Sequence, residues 1–329
     1  MGGFLESEKI RQIQFKANSS DKSDEARTDG IYKGKPRPFC LPPEYADQNL
    51  FSEIRQAAIQ HFAKHGIKWH EGRNGNPSNH LCSSQVCCVN FLFPFADKPD
   101  ILSRLLQPIY PEISNMIPME DGLYVSFEWI GQKNYLGERM AQNGKRTRGA
   151  NCTSADAVVL FERTDGKREM VLIEWKYTES YGGNSLKIAK SGTDRTEIYK
   201  HLFLNDDSLL DKDLLPSFDA LFYEPFYQFM RQQYLAHEME KAQEMGADIV
   251  SVMHIAPAHN RDFQKITSPE LVRLGETAIN VWKRLVKPDK RFISVSAESL
   301  FGNLLLEQYP EIRTWIEYIR ERYTWVADK

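Results

Sequence analysis

The chain has no long hydrophobic run, few cysteines and no excess of positive charge. Its 329 residues contain no apolar stretch of the roughly 18 residues that a membrane-spanning helix needs, so we expect no membrane contact. The polar start of the chain lacks a signal-peptide pattern, which favours a cytoplasmic protein. Five cysteines are an odd number, and neither CxxC nor HExxH occurs. We therefore expect reduced thiols and no zinc site.

Acidic residues slightly outnumber basic ones, 45 to 42, and the formal net charge is −3. Proteins that bind nucleic acid without sequence preference usually carry a positive excess. Any nucleic-acid surface on this chain must therefore be locally basic. Two segments are the candidates for it: Lys145, Arg146 and Arg148, and then Lys187, Lys190, Arg195 and Lys200.

Between these basic segments, residues 154–177 predict two strands joined by a tight turn. Apolar and β-branched residues fill 157–161 and 170–175, and a polar segment that contains Gly166 separates them. Because both faces of this hairpin are apolar, we expect its strands to be central and covered on both sides. Charged residues at the ends of such strands are costly unless they are paired or bound to metal.

The register of this hairpin decides which charged residues meet. A three-residue loop at 164–166 makes Asp156 face Glu174 and puts Lys176 on the same face. A two-residue loop would pair Asp156 with Trp175 and send the carboxylates to opposite faces. We favour the three-residue loop, because the alternative leaves Glu174 and Lys176 without a common partner.

An Asp at the start of one strand, followed by Glu-x-Lys near the end of the next, resembles the PD-(D/E)XK nuclease superfamily, which has the restriction-endonuclease-like fold. The residues here are Asp156 and Glu174-Trp175-Lys176, with Ala155 where the family often has Pro. The resemblance covers about residues 80 to 260. It implies that both acids and the carbonyl of Trp175 bind Mg²⁺, for which Mn²⁺ would substitute, and that Lys176 orients or activates the attacking water.

The resemblance also implies further residues around the site. The family often recruits another acid from upstream, for which Glu128 is the first candidate, Glu138 the second and Gln85 a weaker one. The helix after Glu-x-Lys often brings polar residues to the site, and here it would bring Gln228, Arg231 and Gln232. The phosphate contacts would be Lys145, Arg146, Arg148, Thr153 and Ser154.

The sequence predicts an α/β fold with a restriction-endonuclease-like core. This core is a mixed sheet of about four to five strands flanked by helices, in the order αβββαβ, with extra helices at both ends. The predicted helices span residues 45–66, 83–93, 98–116, 225–245, 269–286, 298–308 and 312–325, with a short one near Glu197. The strands outside the hairpin span 123–130, 248–255 and 292–296. We predict a polar N-terminal extension at 1–45, a nuclease-like core at 46–260 and a C-terminal helical elaboration at 261–329.

These observations favour a Mg²⁺-dependent hydrolase of phosphodiester bonds, acting on DNA rather than RNA, and a homodimer is compatible with the sequence. The chemistry agrees, because hard oxygen ligands around Mg²⁺ provide a nucleophilic water and stabilise charge on phosphoryl oxygens. The alternative is a catalytically inactive module that keeps the fold and binds nucleic acid or protein.

Overall fold

The computed structural model of the chain describes residues 3–138, 144–306 and 309–326. A mixed β-sheet lies at its centre and helices cover both faces. The elements in chain order are α1 Phe4–Asn18, β1 Gly30–Tyr32, β2 Lys35–Arg37, α2 Ser52–Lys64, α3 Ser84–Leu92, α4 Pro99–Leu106, β3 Ile113–Ile117, β4 Ser126–Trp129, β5 Ala155–Arg163, β6 Arg168–Trp175, α5 Thr196–Leu204, α6 Phe226–Lys241, β7 Ile249–Ala256, α7 Ala278–Leu285, β8 Phe292–Ser296, α8 Ala297–Leu306 and α9 Arg313–Arg322.

In the described part of the chain, the central sheet has six strands rather than the four to five expected. Its order is β3-β5-β6-β7-β8, and β4 pairs with the other half of β5. The unexpected strand is β3, which the sequence assigned to a helix over 98–116. Helix α4 ends at Leu106, and β3 has a weak strand pattern because Ser114 and Asn115 stand exposed in its middle.

The β5–β6 hairpin has the predicted three-residue loop and the predicted register. Ala157 pairs with Ile173 and Glu162 with Arg168. Gly166 closes the loop with a φ of +81°, a left-handed conformation that glycine adopts without strain. The register therefore puts Asp156 at the level of Glu174, at the end of the sheet away from the turn.

The two faces of this hairpin pack against different apolar cores, as the sequence predicted. One face packs with α6 and α7, and the other with α3, α8 and α9. The chain returns through α6 to β7, which pairs with β6 in parallel, and β8 adds a further parallel strand. A parallel crossover of this kind covers the sheet with a helix, so the strands are buried on both sides.

The N-terminal segment packs against this body through buried polar contacts. On α1, the Gln12 amide donates to the hydroxyl of Tyr177 at 3.1 Å, and Glu8 accepts from the same hydroxyl at 2.6 Å. The buried Arg322 of α9 also contacts Gln12. Both outer segments thus reach the residues that follow β6. None of the described helices is both long and apolar enough to cross a membrane.

Candidate active site

A cavity of about 570 Å³ opens at the end of the sheet where β5 begins and β6 ends. The hairpin register brings Asp156, Glu174 and Lys176 into its lining together. The preceding segments and α6 supply further predicted residues to it, namely Gln85, Glu128, Thr153, Ser154, Gln228, Arg231 and Gln232.

The three motif side chains make short polar contacts in this cavity. The Lys176 ammonium donates to Glu174 Oε1 at 2.5 Å, and both side chains are almost fully buried. Asp156 Oδ2 accepts from the backbone N–H of Trp175 at 2.7 Å. The Trp175 carbonyl accepts from the hydroxyl of Ser84 at 3.3 Å. Asp156 and the Trp175 main chain are therefore held next to each other by the pairing of the strands.

The charges of this cluster are not balanced. Burial, followed by repulsion from Glu174, raises the pKa of Asp156 well above its usual range. Burial also raises the pKa of Glu128. Burial opposes the charge on Lys176, but the attractions of Glu174, Tyr181, Asp156 and Glu179 together outweigh it and raise the pKa of this ammonium. Lys176 therefore keeps its proton at neutral pH.

The donor set suits a hard divalent cation. Glu128, Asp156 and Glu174 are three of the five acids in the lining, beside Glu71 and Glu179, and Trp175 adds a backbone carbonyl. Mg²⁺ prefers oxygen ligands of these kinds. When all three acids and Lys176 are ionised, one ammonium faces three carboxylates. A divalent cation would neutralise the remaining negative charge.

The backbone places Glu128 towards the cavity. Glu128 has a φ of +49°, which is unusual for a non-glycine residue in a strand. Its carboxylate accepts from Gln85 Nε2 and from Ser154 Oγ, each at 2.6 Å. Gly149, with a φ of +72°, leaves the necessary space, since a Cβ there would lie 2.5 Å from the Lys68 carbonyl and 3.4 Å from the Glu128 side chain.

The other candidate acid, Glu138, is not in the cavity lining. Its carboxylate accepts from the backbone N–H of Thr153 at 2.7 Å and from the hydroxyl of Tyr199 at 2.7 Å. Glu138 therefore holds the loop that leads into β5, and Glu128 is the upstream acid that the structure brings to the motif.

The polar residues of α6 reach the cavity by different routes. Gln232 donates to Glu174 Oε2 at 2.7 Å and to the carbonyl of Ser154 at 2.5 Å, so it ties the motif to the loop before β5. Arg231 donates to the Thr153 hydroxyl at 3.1 Å. Gln228 accepts from the Tyr181 hydroxyl at 3.4 Å. Of the three, only Gln232 contacts a motif carboxylate.

The basic residues before the hairpin have structural contacts instead of facing the cavity. Arg146 donates to the carbonyls of Ile130, Gly131 and Lys133. Arg148 donates to the carbonyl of Glu128 and makes a two-pronged ion pair with Glu120 at 2.7 and 3.0 Å. Lys145, Arg146 and Arg148 are absent from the lining, whereas Thr153 and Ser154 belong to it. After the hairpin, Lys187 pairs with Asp219 and Lys200 with Glu197.

Several lining residues had no signal in the sequence as parts of this site. Tyr32, His70, Glu71 and His80 come from the first eighty residues, and Ser84 from the start of α3. They reach the cavity through tertiary packing across long sequence separations. A local pattern does not reveal such contacts.

Among the described residues, His61, His65 and Glu120 are the one group of three whose ligand atoms lie within 4.8 Å of one another, and this group lies outside the cavity. Both Glu120 oxygens already accept from Arg148, and Ser126 adds a third hydrogen bond. His65 Nε2 lies 2.6 Å from Asp121. We therefore interpret this group as an ion-pair network. Cys87 and Cys88 are buried in the core, as expected for small apolar residues.

Over residues 11–324 the chain matches the model of a protein family described as restriction endonuclease associating with ARP, REase-ARP. No curated protein and no solved structure shows a significant match. The matched region includes every cavity residue discussed above, so the site lies within the part that defines the family. The family supports a restriction-endonuclease-like protein, while the narrower resemblance to PD-(D/E)XK nucleases stays a prediction. The chain belongs to the REase-ARP family.

Proposed function

We propose that this protein is a Mg²⁺-dependent nuclease that hydrolyses phosphodiester bonds of DNA. The observation that carries the proposal is the unbalanced acidic cluster at the strand ends. Within the part of the chain that the structure describes, Asp156, Glu174 and Glu128 line one cavity with a single nearby ammonium, that of Lys176. Strongly shifted pKa values in a cleft, caused by burial together with specific charge partners, are typical of functional sites.

The residues of the cavity would have separate roles in the reaction. Asp156, Glu174 and the carbonyl of Trp175 would hold Mg²⁺, and Glu128 would complete or orient this set. When bound, Mg²⁺ supplies a nucleophilic water near neutral pH and stabilises charge on the phosphoryl oxygens.

Lys176 would act as a hydrogen-bond donor. Because its pKa is raised, it keeps its proton and is unsuited to accept one from the attacking water. Its ammonium can instead orient that water or stabilise a phosphoryl oxygen. Gln232 would keep Glu174 in place through its 2.7 Å hydrogen bond.

The test is cleavage of a panel of DNA and RNA substrates with and without Mg²⁺. We expect metal-dependent cleavage by the wild type and a loss of at least ~100-fold for Asp156→Ala and for Lys176→Ala, since each removes a group that contacts the reacting atoms. Matched controls lie at the turn of the same hairpin, where Asp165→Ala and Lys167→Ala change exposed residues of the same types.

Equal activity in the wild type and in both cavity variants would refute the nuclease proposal. A calorimetric titration with Mn²⁺ then tests the alternative, a catalytically inactive module. Nucleic-acid or protein binding without Mn²⁺ affinity at the cavity, and without cleavage, would identify an inactive module that has kept only the fold.

A further inference from the structure

The β1–β2 hairpin contributes Tyr32 to the cavity lining, and its cations have no function in the proposed site. It forms a separate two-stranded sheet in which Tyr32 pairs with Lys35 and Gly30 with Arg37. Its turn residues, Lys33 and Gly34, both have positive φ, as a tight two-residue hairpin turn requires. The segment 30–38 contains three cations and no acid.

One face of this hairpin is turned towards the cavity. Tyr32 lines the cavity together with Asp156 and Glu174. Directly opposed residues of an antiparallel pair have side chains on the same face, so Lys35 lies on the face of Tyr32. Because side chains alternate along a strand, Arg37 lies on that face too. Two cations that are not themselves in the cavity lining therefore lie on the hairpin face that carries its aromatic lining residue.

These two cations have no acidic partner within the described residues. Lys33 lies 3.7 Å from Glu71, but no described carboxylate comes within 4.0 Å of the charged atoms of Lys35 or Arg37. The basic residues next to the central hairpin differ in this respect, since Arg146 and Arg148 are bound to backbone carbonyls and Lys187 is paired with Asp219. Unpaired charge of one sign beside an acidic cavity indicates an anionic partner that spans both.

The hairpin is firmly held, so it can present these charges in a fixed position. Asn79 donates to the carbonyls of Ile31 and Leu41 at 3.1 and 2.7 Å. Gly30 lies so close to the backbone of Leu41 that a Cβ at position 30 would be 1.9 Å from the Leu41 carbonyl oxygen. The Tyr32 hydroxyl donates to Glu71 and its ring packs on the edge of His80. A preorganised platform loses less entropy when it binds.

We infer that the β1–β2 hairpin is a backbone clamp for the nucleic acid, with Lys35 and Arg37 contacting phosphates next to the one that enters the cavity. The inference rests on the proposed function, because it takes the cavity as the place of the scissile bond. Nucleic acid fits better than an acidic protein, because its regularly spaced phosphates can occupy the cavity and the clamp at once. Such contacts position the substrate without reading its sequence.

Binding of a labelled duplex and of a labelled single strand, measured by fluorescence anisotropy in EDTA over a series of KCl concentrations, tests the inference without cleavage. The variant is Lys35→Gln/Arg37→Gln. Its matched control is Lys283→Gln/Lys287→Gln, which removes two cations beside Arg163 at the opposite end of the sheet. Both proteins should melt at the wild-type temperature, since none of these side chains is buried.

We expect the clamp variant to bind at least tenfold more weakly at low salt. Each lost phosphate contact reduces the slope of log K against log salt by ~0.9 for a duplex and ~0.7 for a single strand, so two contacts reduce it by about 1.8 or 1.4. The control should keep the wild-type affinity and slope. Cleavage by the clamp variant should show a raised KM and an unchanged kcat, because these contacts bind substrate and transition state alike.

The outcomes separate this inference from the proposed function. If the wild type cleaves nucleic acid but the clamp variant binds like its control, the inference is overturned and the hairpin serves another partner. If the wild type binds without cleaving and only the clamp variant loses affinity, the clamp stands and the nuclease proposal fails. A wild type that does not bind nucleic acid would refute both.

Discussion

The two ends of the β5–β6 hairpin carry similar charged residues in opposite electrostatic states. At the turn end, Glu169 is buried and accepts from Arg163 at 2.6 Å and from Ser251 at 2.9 Å. Each of its oxygens has a partner, and the second acid that Arg163 contacts at this end, Asp165, is exposed to solvent. At the other end, Glu174 is equally buried and paired with Lys176, but Asp156 lies beside it as a second acid.

This contrast distinguishes a charge pair that stabilises the fold from a charge cluster that can bind a metal ion. A buried pair with complete hydrogen bonding is compensated for its desolvation, and removing one partner destabilises the protein. A buried cluster with surplus acid is compensated only when it holds a proton or a metal cation. Burial alone therefore does not identify the functional end, because both glutamates are buried to the same degree. The functional end is identified by the balance of charge among the groups that are removed from solvent.

The largest difference between the two ends should appear when each glutamate is made neutral. Glu174→Gln should lower nuclease activity by at least ~100-fold, because it removes a proposed metal ligand, while Asp156 remains as a counter-charge for Lys176. Glu169→Gln should leave activity within a fewfold of the wild type but lower the free energy of unfolding by about 1.5–3 kcal/mol, because it weakens the hydrogen bonds of a charged pair.

Cleavage rates and urea unfolding of the two variants check this prediction. The same pattern of activity and stability in both variants would show that the two ends of the hairpin are equivalent.

A smaller effect should separate the two upstream acids. Glu128→Gln should lower activity and Mn²⁺ affinity by about 10–100-fold, as expected for a group that completes or orients a metal site. Glu138→Gln, which neutralises an acid of the neighbouring loop, should cost about 1 kcal/mol of stability and change Mn²⁺ affinity little. Calorimetry with both variants checks this. A greater loss of affinity with Glu138→Gln would mean that the loop before β5 rearranges when the metal binds.

The sequence predicted the centre of the sheet better than its surroundings. The β5–β6 register followed from local alternation and one turn glycine, and β8 was predicted with the bounds that the structure shows, Phe292–Ser296. Strand β3 was missed, because its short segment exposes Ser114 and Asn115 and its pairing with β5 is not encoded locally.

The site shows the same division. Asp156, Glu174 and Lys176 could be brought together from strand geometry alone, because they lie on two strands joined by one turn. The choice between Glu128 and Glu138 depends on a left-handed backbone at Glu128 and on the space at Gly149, which no pattern revealed. The basic segments were predicted from composition, but whether an arginine faces phosphate or holds a backbone carbonyl depends on tertiary contacts.

The smallest expected effect is the dependence of stability on pH that the raised pKa of Asp156 produces. Because the pKa of Asp156 is raised in the native state, the native protein binds a proton more tightly than the unfolded chain does. The associated stability is fully present below the unfolded pKa of about 3.9 and is lost as pH rises through the raised native pKa. Asp156→Asn does not titrate in this window and can still accept from Trp175. Without metal, its melting temperature should exceed that of the wild type by a few degrees, and the difference should grow with pH.

Added Mn²⁺ should reverse this order. Metal binding requires the ionised carboxylate and stabilises the state that binds it, so the wild type should gain more than the variant, and more at higher pH. Asp165→Asn is the control, because this exposed turn residue has a lowered pKa and the opposite sign: its replacement should slightly destabilise the protein, with or without metal. Thermal melts over a pH series with and without Mn²⁺ decide the matter. If Asp156→Asn is less stable than the wild type at every pH and indifferent to Mn²⁺, then Asp156 serves the fold as Glu169 does, and the two ends of the hairpin do not differ.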